Sequence, residues 1–258
     1  MIRLTFLLRR KPGMSLEDFQ QYWLEEHGPM LARHASHLAM MRCVQVRTLP
    51  EGSDLFGGTR GPMEQPYDGV TEIWWDSVDT LAAAAESNAG RNAIERIVAH
   101  ESGFVDLPAS PLWFNYEYPQ VNPAPETLVA RERSSIVKFY YPLRHLPGLS
   151  LADAQLYWRT QHGPVIRSQA SAARVLRYLQ VHRFDSPLEA AWRQLRGTIA
   201  EPYSGHAELW FDRNGFTSEP SAERQRAGAR AEEDERNFID FSRSSMWFAK
   251  EHVVVDRV

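Results

Sequence analysis

The strongest constraint on this chain of 258 residues is that the same pattern occurs in it twice. Residues 12–29 (PGMSLEDFQQYWLEEHGP) and 147–164 (PGLSLADAQLYWRTQHGP) are identical at eleven of eighteen positions. Three further pairs of blocks follow in the same order: 42–47 with 177–182, 65–76 with 201–212, and 111–117 with 245–251. Each copy of such a repeat is one structural unit. We predict a first repeat over 1–120, a Pro-rich and charged linker over 121–133, and a second repeat over 134–258.

Each copy has the hydrophobic pattern of a βαββαβ unit. Its first strand is rich in apolar and β-branched residues, and Ser15 or Ser150 follows as the N-cap of a helix. Gly28-Pro29 and Gly163-Pro164 interrupt that helix, since a residue before proline avoids the α region. The order of elements predicts an α+β, ferredoxin-like fold. A single unit leaves one sheet face bare, so we expect the two copies to pack sheet to sheet as a barrel.

Composition excludes several classes of protein. The net charge is −4, so no basic field is present to attract nucleic acid or an anionic membrane. Cys43 is the only cysteine, which excludes an intrachain disulfide and any multi-thiolate metal site. The longest apolar runs are far shorter than the roughly 20 residues of a membrane span. We expect a cytoplasmic protein with a small-molecule partner and no bound metal, and a homo-oligomer is possible.

Strand alternation predicts which side chains face the barrel interior. The predicted inner set contains two carboxylates, Glu72 and Glu208, and a histidine, His206. Burial of an unpaired carboxylate is very costly, so each Glu must have a cationic partner or become neutral. A structural salt bridge to Arg47, Arg60, Arg196 or Lys138 is one interpretation. The other is a general acid or base whose pKa is raised by burial.

The remaining candidates come from the same alternation and from residues that occur in both copies. On the strands at 43–48 and 178–183, the apolar positions are assigned to the helix side, which places Gln45, Tyr178, Gln180 and His182 inside. Catalytic candidates are Glu72, Glu208, His206, His182, His162 and His27. Substrate-binding candidates are Tyr178, Gln180, Tyr140, Trp210, Gln45, Trp74, Tyr203 and Arg196.

His27 and His162 occupy equivalent positions at the Gly-Pro break. Each could cap the helix or bond a neighbouring loop. Each could also lie at the barrel mouth as an acid or base, or ligate haem. The sequence leaves these three alternatives open.

The block PG-[ML]-S followed by YW-x-x-x-HGP, with PY-x-G-x-x-E-[IL]-W further on, resembles the EthD family of the dimeric α+β barrel superfamily. The resemblance covers both halves, so the chain looks like a tandem, single-chain version of that barrel. It implies a small-molecule enzyme without an organic cofactor, namely a lyase, isomerase or decarboxylase acting on an aromatic or polyketide-like compound. A haem-dependent or cofactor-free monooxygenase is the first alternative, and a non-catalytic binding or scaffold protein is the second.

The two copies differ in their candidate residues. Tyr178 replaces Cys43, His182 replaces Arg47, and His206 replaces Val70. The second copy therefore carries more groups that can exchange a proton or donate a hydrogen bond. We predict that the second repeat is catalytic and that the first is mainly structural.

Overall fold

The computed structural model describes residues 1–50, 57–123, 128–217 and 220–257. The first repeat consists of β1 (Ile2–Leu8), α1 (Leu16–Tyr22), a π turn (Trp23–His27), α2 (Gly28–His34), β2 (Arg42–Thr48), α3 (Gly57–Arg60), β3 (Gly69–Trp75), α4 (Val78–Glu86), α5 (Asn88–Glu101) and β4 (Leu112–Val121). Among the residues described, no helix has the length and apolar character needed to cross a bilayer.

The second repeat has the same plan, with the helix α8 between its second and third strands. It consists of β5 (Ile136–His145), α6 (Leu151–Tyr157), a π turn (Trp158–His162), α7 (Gly163–Gln169), β6 (Arg177–Arg183), α8 (Pro187–Arg196), β7 (Gly205–Asp212), α9 (Arg213–Thr217), α10 (Ala222–Glu235), β8 (Ile239–Asp240), a 3₁₀ turn (Phe241–Arg243) and β9 (Trp247–Asp256). Ser15 and Ser150 are N-caps, as predicted, and accept hydrogen bonds from the amides of Asp18 and Asp153.

Eight strands close into one antiparallel barrel. The strand order is β4-β1-β3-β2 in the first repeat and β9-β5-β7-β6 in the second. The second strand of each repeat pairs with the last strand of the other, β2 with β9 and β6 with β4. The predicted α+β barrel of two ferredoxin-like repeats is confirmed, and the edges of the two sheets are hydrogen-bonded to each other as well as packed face to face.

The repeated sequence blocks meet in space. The Trp23 ring lies over Gly69 at the start of β3, so close that a Cβ on this glycine would come within 2.5 Å of the ring. In the second repeat, the Trp158 ring lies over Gly205 in the same way, and a Cβ there would lie 3.1 Å from it. The glycine of the PY-x-G block therefore provides the space that the tryptophan of the YW-x-x-x-HGP block fills.

The Gly-Pro break is a π turn, and the helix continues through it. The amide of Gly28 donates to the carbonyl of Trp23, five residues earlier, and Gly163 donates to Trp158. The Gln45 side chain donates to the same Trp23 carbonyl at 2.7 Å, and Gln180 donates to the Trp158 carbonyl at 2.8 Å. A glutamine from the neighbouring strand thus stabilises each π turn.

This role of the glutamines corrects the predicted orientation of β2 and β6. Val44 and Val46 pack inside the barrel, and so do Leu179 and Val181. The four residues predicted to face the interior lie on the helix side instead: Gln45, Tyr178, Gln180 and His182. The prediction was wrong because it assigned the apolar positions to the helices, whereas the barrel interior is itself largely apolar and aromatic.

The contact between Trp23 and Gly69 gives a direct test of this architecture. Gly69→Ala is expected to destabilise the fold by about 1–3 kcal/mol, because the added methyl group must displace a buried ring. Gly148→Ala is the matched control, since a Cβ at Gly148 meets no atom within 4 Å. Chemical denaturation measures both free energies of unfolding. Equal effects of the two substitutions would show that the Trp23 contact is unimportant.

Candidate functional site

The centre of the barrel holds a closed network of buried charges. The Arg3 guanidinium donates to Glu72 of its own repeat and to Glu208 of the other. The Lys138 ammonium lies 3.2 Å from Glu72 and 3.1 Å from Glu208. Each of these side chains is only about 1% exposed. The inner carboxylates therefore form salt bridges, with Lys138 as predicted and with Arg3 in place of the three arginines proposed from the sequence, which pair with Glu132, Glu235 and Glu101.

Two further carboxylates extend the network towards the last strands of the repeats. Glu117 accepts from Arg3 at 3.0 Å, and Glu251 accepts from Lys138 at 3.1 Å. Strand alternation predicts that these residues of β1, β3 and β4, and of the equivalent strands β5, β7 and β9, face the barrel interior. Two cations thus neutralise carboxylates that come from both repeats.

The two central carboxyls carry their charge unequally. Burial raises the pKa of Glu72 to about 8, against the opposing effect of Arg3. Burial acts in the same direction on Glu208, but Arg3 and Lys138 together outweigh it and hold the pKa of that carboxyl well below its usual range. At neutral pH the pair therefore retains one proton, on Glu72.

His206 is a neutral member of the same network. Burial lowers the pKa of His206 to about 3, so its Nε2 donates to Glu208 at 3.1 Å as an uncharged ring. The ring stacks on Tyr140 with 4.7 Å between centroids. Ligand atoms of Glu72, His206 and Glu208 lie within 4.8 Å of one another, a spacing that a metal ion could use. Arg3 and Lys138, however, already supply positive charge to both carboxylates.

The interior leaves little room for a substrate. Aromatic and aliphatic side chains fill the barrel beside the ion network, including the predicted candidates Trp74, Tyr140 and Tyr203. Trp210 packs on Leu179 and Val181 and donates to Glu251. The Glu72 and Glu208 side chains are each about 1% exposed, and neither lines the five most clearly formed cavities of the described residues. Catalysis inside the barrel is not supported by this geometry.

An apolar cavity lies instead between the sheet and the helices of the second repeat. It has a volume of about 130 Å³. Its walls come from β5, β6, β7, α7 and α10 and include Phe139, Tyr141, Leu143, Trp158, His162, Ile166, Tyr178, Leu209 and Phe211. A cavity of about 150 Å³ lined by aliphatic and aromatic groups binds benzene in an engineered protein. This one can accept a single six-membered ring.

The equivalent space in the first repeat is nearly filled, with a volume of about 10 Å³. The difference arises mainly on the last long helix, where α10 aligns with α5 at an offset of 134 residues. Ile94 and Ile97 of α5 line the small cavity, while Gly228 and Ala231 occupy the same positions beside the large one. Loss of these two isoleucine side chains opens the second cavity.

A histidine and a carboxylate meet at the wall of the larger cavity. His162 Nδ1 lies 2.7 Å from Asp234 Oδ2, and the Tyr157 hydroxyl donates to Oδ1 of the same carboxylate at 2.9 Å. The hydrogen bond from His162 lowers the pKa of Asp234, so the carboxylate is ionised and Nδ1 is the donor. Nε2 is therefore the ring nitrogen left for a molecule in the cavity.

The first repeat has His100 where the second has Asp234. His27 Nδ1 lies 3.1 Å from His100 Nδ1, and the Tyr22 hydroxyl lies 3.2 Å from His100 Nε2. Burial, together with His100 and Arg196, lowers the pKa of His27 to about 3. Neither His27 nor His162 lies at the barrel mouth, because both belong to the helix layer.

The other sequence candidates have structural partners. Arg196 forms a bidentate ion pair with Glu101, and the Tyr203 hydroxyl donates to Glu64. His182 stacks on Trp158 at 4.5 Å between centroids, and burial lowers its pKa to about 3. Of the predicted site residues, His162 and Tyr178 line the large cavity.

Sequence reasoning missed Asp234, Tyr141 and the two small residues of α10. The segment 222–238 is so rich in charge that it reads as a solvated helix. An alignment with 88–104 carries the missing signal, because His100, Ile94 and Ile97 become Asp234, Gly228 and Ala231.

The EthD domain model matches residues 11–108 and 146–242. These segments cover most of the chain, and the protein belongs to the EthD family as a tandem duplication. Among curated proteins, none matches this sequence significantly.

Solved structures share the fold at low sequence identity. An anthrone oxidase-like protein superposes with a TM-score of 0.58 at 10% identity, over 100% of this chain and 94% of that one. A dye-decolorizing peroxidase from Bacteroides thetaiotaomicron gives a TM-score of 0.50 at 10% identity, over 96% and 92% of the two chains. At such identities the likeness establishes the fold alone.

The ion network predicts a strongly non-additive pair of substitutions. Glu72→Gln or Glu208→Gln leaves one carboxyl that can ionise beside Arg3 and Lys138. The double variant leaves neither, so Glu117 and Glu251 alone must compensate Arg3 and Lys138, and breaking a buried ion pair costs about 3–5 kcal/mol. We expect the double variant to lose more stability than the two single losses added together, measured by urea unfolding. Additive losses would show that the two carboxyls act independently.

The same network predicts a pH dependence of stability. The pKa of Glu72 is about 8 in the folded chain, against a usual 4.5. The contribution of Glu72 to the free energy of unfolding is complete below pH 4.5, where both states hold the proton. As the pH rises from 4.5 to 8, the unfolded chain releases this proton and the folded chain keeps it, so the contribution is lost. The Glu72→Gln variant should therefore gain stability relative to the wild type between pH 5 and pH 8. Parallel pH profiles for the two proteins would contradict this assignment.

The cavity predicts selective binding of small rings. Benzene should raise the melting temperature of the wild type. Ala231→Ile should abolish that shift, because it fills the cavity with the side chain that Ile97 provides at the equivalent position of the first repeat. Ile97→Ala is the reciprocal control and should cost about 2–5 kcal/mol of stability by creating a cavity. A benzene shift that survives Ala231→Ile would place the ring elsewhere.

Proposed function

We propose that this protein is a small-molecule enzyme whose second repeat binds a single-ring substrate and exchanges a proton with it through His162. The observation that carries the proposal is the His162–Asp234 pair at the wall of the apolar cavity. The first repeat lacks both the space and the carboxylate. Catalysis is thus assigned to the second repeat, but outside the barrel.

The proposed chemistry follows from the environment of the imidazole. Asp234 holds the ring with Nδ1 protonated and stabilises the positive charge that forms when Nε2 accepts a proton. Apolar walls exclude water from the reacting carbon, which strengthens each electrostatic interaction in the site. This arrangement suits removal and return of a proton next to a carbonyl group, as in an isomerisation, an elimination or a decarboxylation through an enolate.

We propose that this reaction needs no organic cofactor. Proton transfer at an activated carbon requires only a base, an acid and a site that stabilises the oxyanion. Haem does not fit the residues here, because a cavity of about 130 Å³ takes one small ring and sites for larger ligands measure about 300–1,000 Å³. A fused, polyketide-like substrate exceeds that volume for the same reason.

A cofactor-free oxygenase is the second candidate. It is favoured by the structural likeness to an anthrone oxidase-like protein. Its first step would also be removal of a proton by His162, and the resulting electron-rich ring would then react with dioxygen. Oxygen uptake on addition of a dihydroxybenzene, measured with an electrode, separates this reaction from simple proton transfer.

Exchange of ring hydrogens with solvent tests the proposal without knowledge of the natural substrate. Cyclohexenone in D₂O should lose its α-hydrogens faster with the protein than without it, as followed by proton NMR. His162→Gln should slow the exchange by about 10²-fold or more, because it removes the base. Asp234→Asn should lower kcat with KM unchanged, because it alters the imidazole and not the walls that bind the ring.

His27→Gln is the matched control for that experiment, as it changes the equivalent histidine in the filled repeat. It should leave the exchange rate unchanged within about twofold. Equal losses from His27→Gln and His162→Gln, or no acceleration by the wild type, would refute proton transfer at this site.

A further inference from the structure

We infer that the cavity of the second repeat recognises a hydroxyl group on its ring, and that Tyr141 and Glu235 hold this group as a donor and acceptor pair. The inference rests on the proposed function and names the substrate class of the same site as phenols and their cyclic keto tautomers.

The Tyr141 hydroxyl is a buried donor for which the described residues provide no acceptor: the neighbouring side chain is Arg60, whose guanidinium can only donate to the phenol oxygen. The residue is 3% exposed, and it lines the cavity. Burial, followed by the charge of Glu235, raises the pKa of Tyr141 well above its usual value. The phenol thus keeps its proton and can donate it to an oxygen atom of a ligand. Buried polar groups normally have a partner, so an unpaired one in a cavity wall indicates an absent ligand group.

Glu235 supplies the complementary acceptor. Its Oε2 accepts from Arg60 Nε at 2.8 Å, and no other hydrogen bond to this carboxylate is found in the described parts of the chain. Oε1 is therefore available at the cavity wall that Glu235 lines. A hydroxyl can accept from Tyr141 and donate to this oxygen, whereas an ether or a hydrocarbon cannot do both.

The first repeat shows what the same positions look like without a ligand to bind. Phe6 stands where the second repeat has Tyr141, so there is no hydroxyl. Arg196 occupies both oxygens of Glu101, with Nε at 2.8 Å from one and Nη2 at 3.1 Å from the other. The free donor and the free acceptor occur together in the repeat that also has the larger cavity.

Phenol and toluene are suitable probes, because they have nearly the same shape and differ by a hydroxyl and a methyl group. Calorimetric titration of the full chain should show tighter binding of phenol, by about tenfold, which is a typical effect of a buried hydrogen bond to a charged group. Tyr141→Phe should remove most of this preference and leave toluene binding unchanged within about twofold.

Tyr140→Phe is the matched control. It removes an equally buried hydroxyl from the same strand, but from the face that points into the barrel. It should leave the ratio of phenol to toluene affinity unchanged. Tyr141→Phe leaves the ion pair between Arg60 and Glu235 in place, so it should change thermal stability little and a folding defect should not obscure the result.

Three outcomes overturn the inference: equal affinity of the wild type for phenol and toluene, equal losses of both ligands in Tyr141→Phe, or a phenol preference that survives this substitution. Each of them leaves the proton exchange that depends on His162 intact. Conversely, a phenol preference that depends on Tyr141, in a protein whose His162→Gln variant exchanges protons normally, supports the inference and refutes the proposed function alone.

Discussion

The sharing of two cations by carboxylates of both repeats is the interaction on which the rest of this structure depends. Arg3 and Lys138 come from equivalent first strands, and each contacts Glu72 and Glu208 together. Removal of Arg3 or Lys138 leaves the ionised Glu208 with only one of its two cations. The barrel interior is thereby committed to holding the two halves together, and a ligand must be bound elsewhere.

Duplication within one chain makes a different use of the two helix layers possible. In a symmetric dimer, both cavities would change together with every substitution. Here Ile97 fills one cavity, while the equivalent Ala231 leaves the other open. Likewise, the helix histidine of the first repeat meets His100, and that of the second meets Asp234. The first repeat has a nearly filled space between sheet and helices, whereas the second has an open cavity, and the two repeats share one barrel.

Most of the fold could be predicted from the sequence, because the repeat, the capping serines and the strand alternation agree with one another. Alternation placed Glu72 and Glu208 correctly, since Ile73 beside the first and Ala207 and Leu209 beside the second are apolar residues suited to the helix side. It failed at Gln45 and Gln180 because their partners, the π-turn carbonyls, belong to a distant helix and leave no mark on the strand. The cavity was missed for a different reason. The cavity exists because Gly228 and Ala231 of α10 have little or no side chain. The many charged residues of this helix indicate a solvated surface, so the sequence pattern gives no sign of a cavity.

Arg60 and Arg196, the last residues of α3 and α8, have a consequence for how this chain could evolve. Arg60 of the first repeat binds Glu235 of the second, and Arg196 of the second binds Glu101 of the first. In a dimer of two identical single-repeat subunits, each subunit would place this arginine against the glutamate of the other. One gene would then specify both contacts. Once the two copies are joined in one chain, either contact can mutate without the other, so a site can be refined on one side of the pseudo-twofold axis while the opposite side keeps its own ion pair.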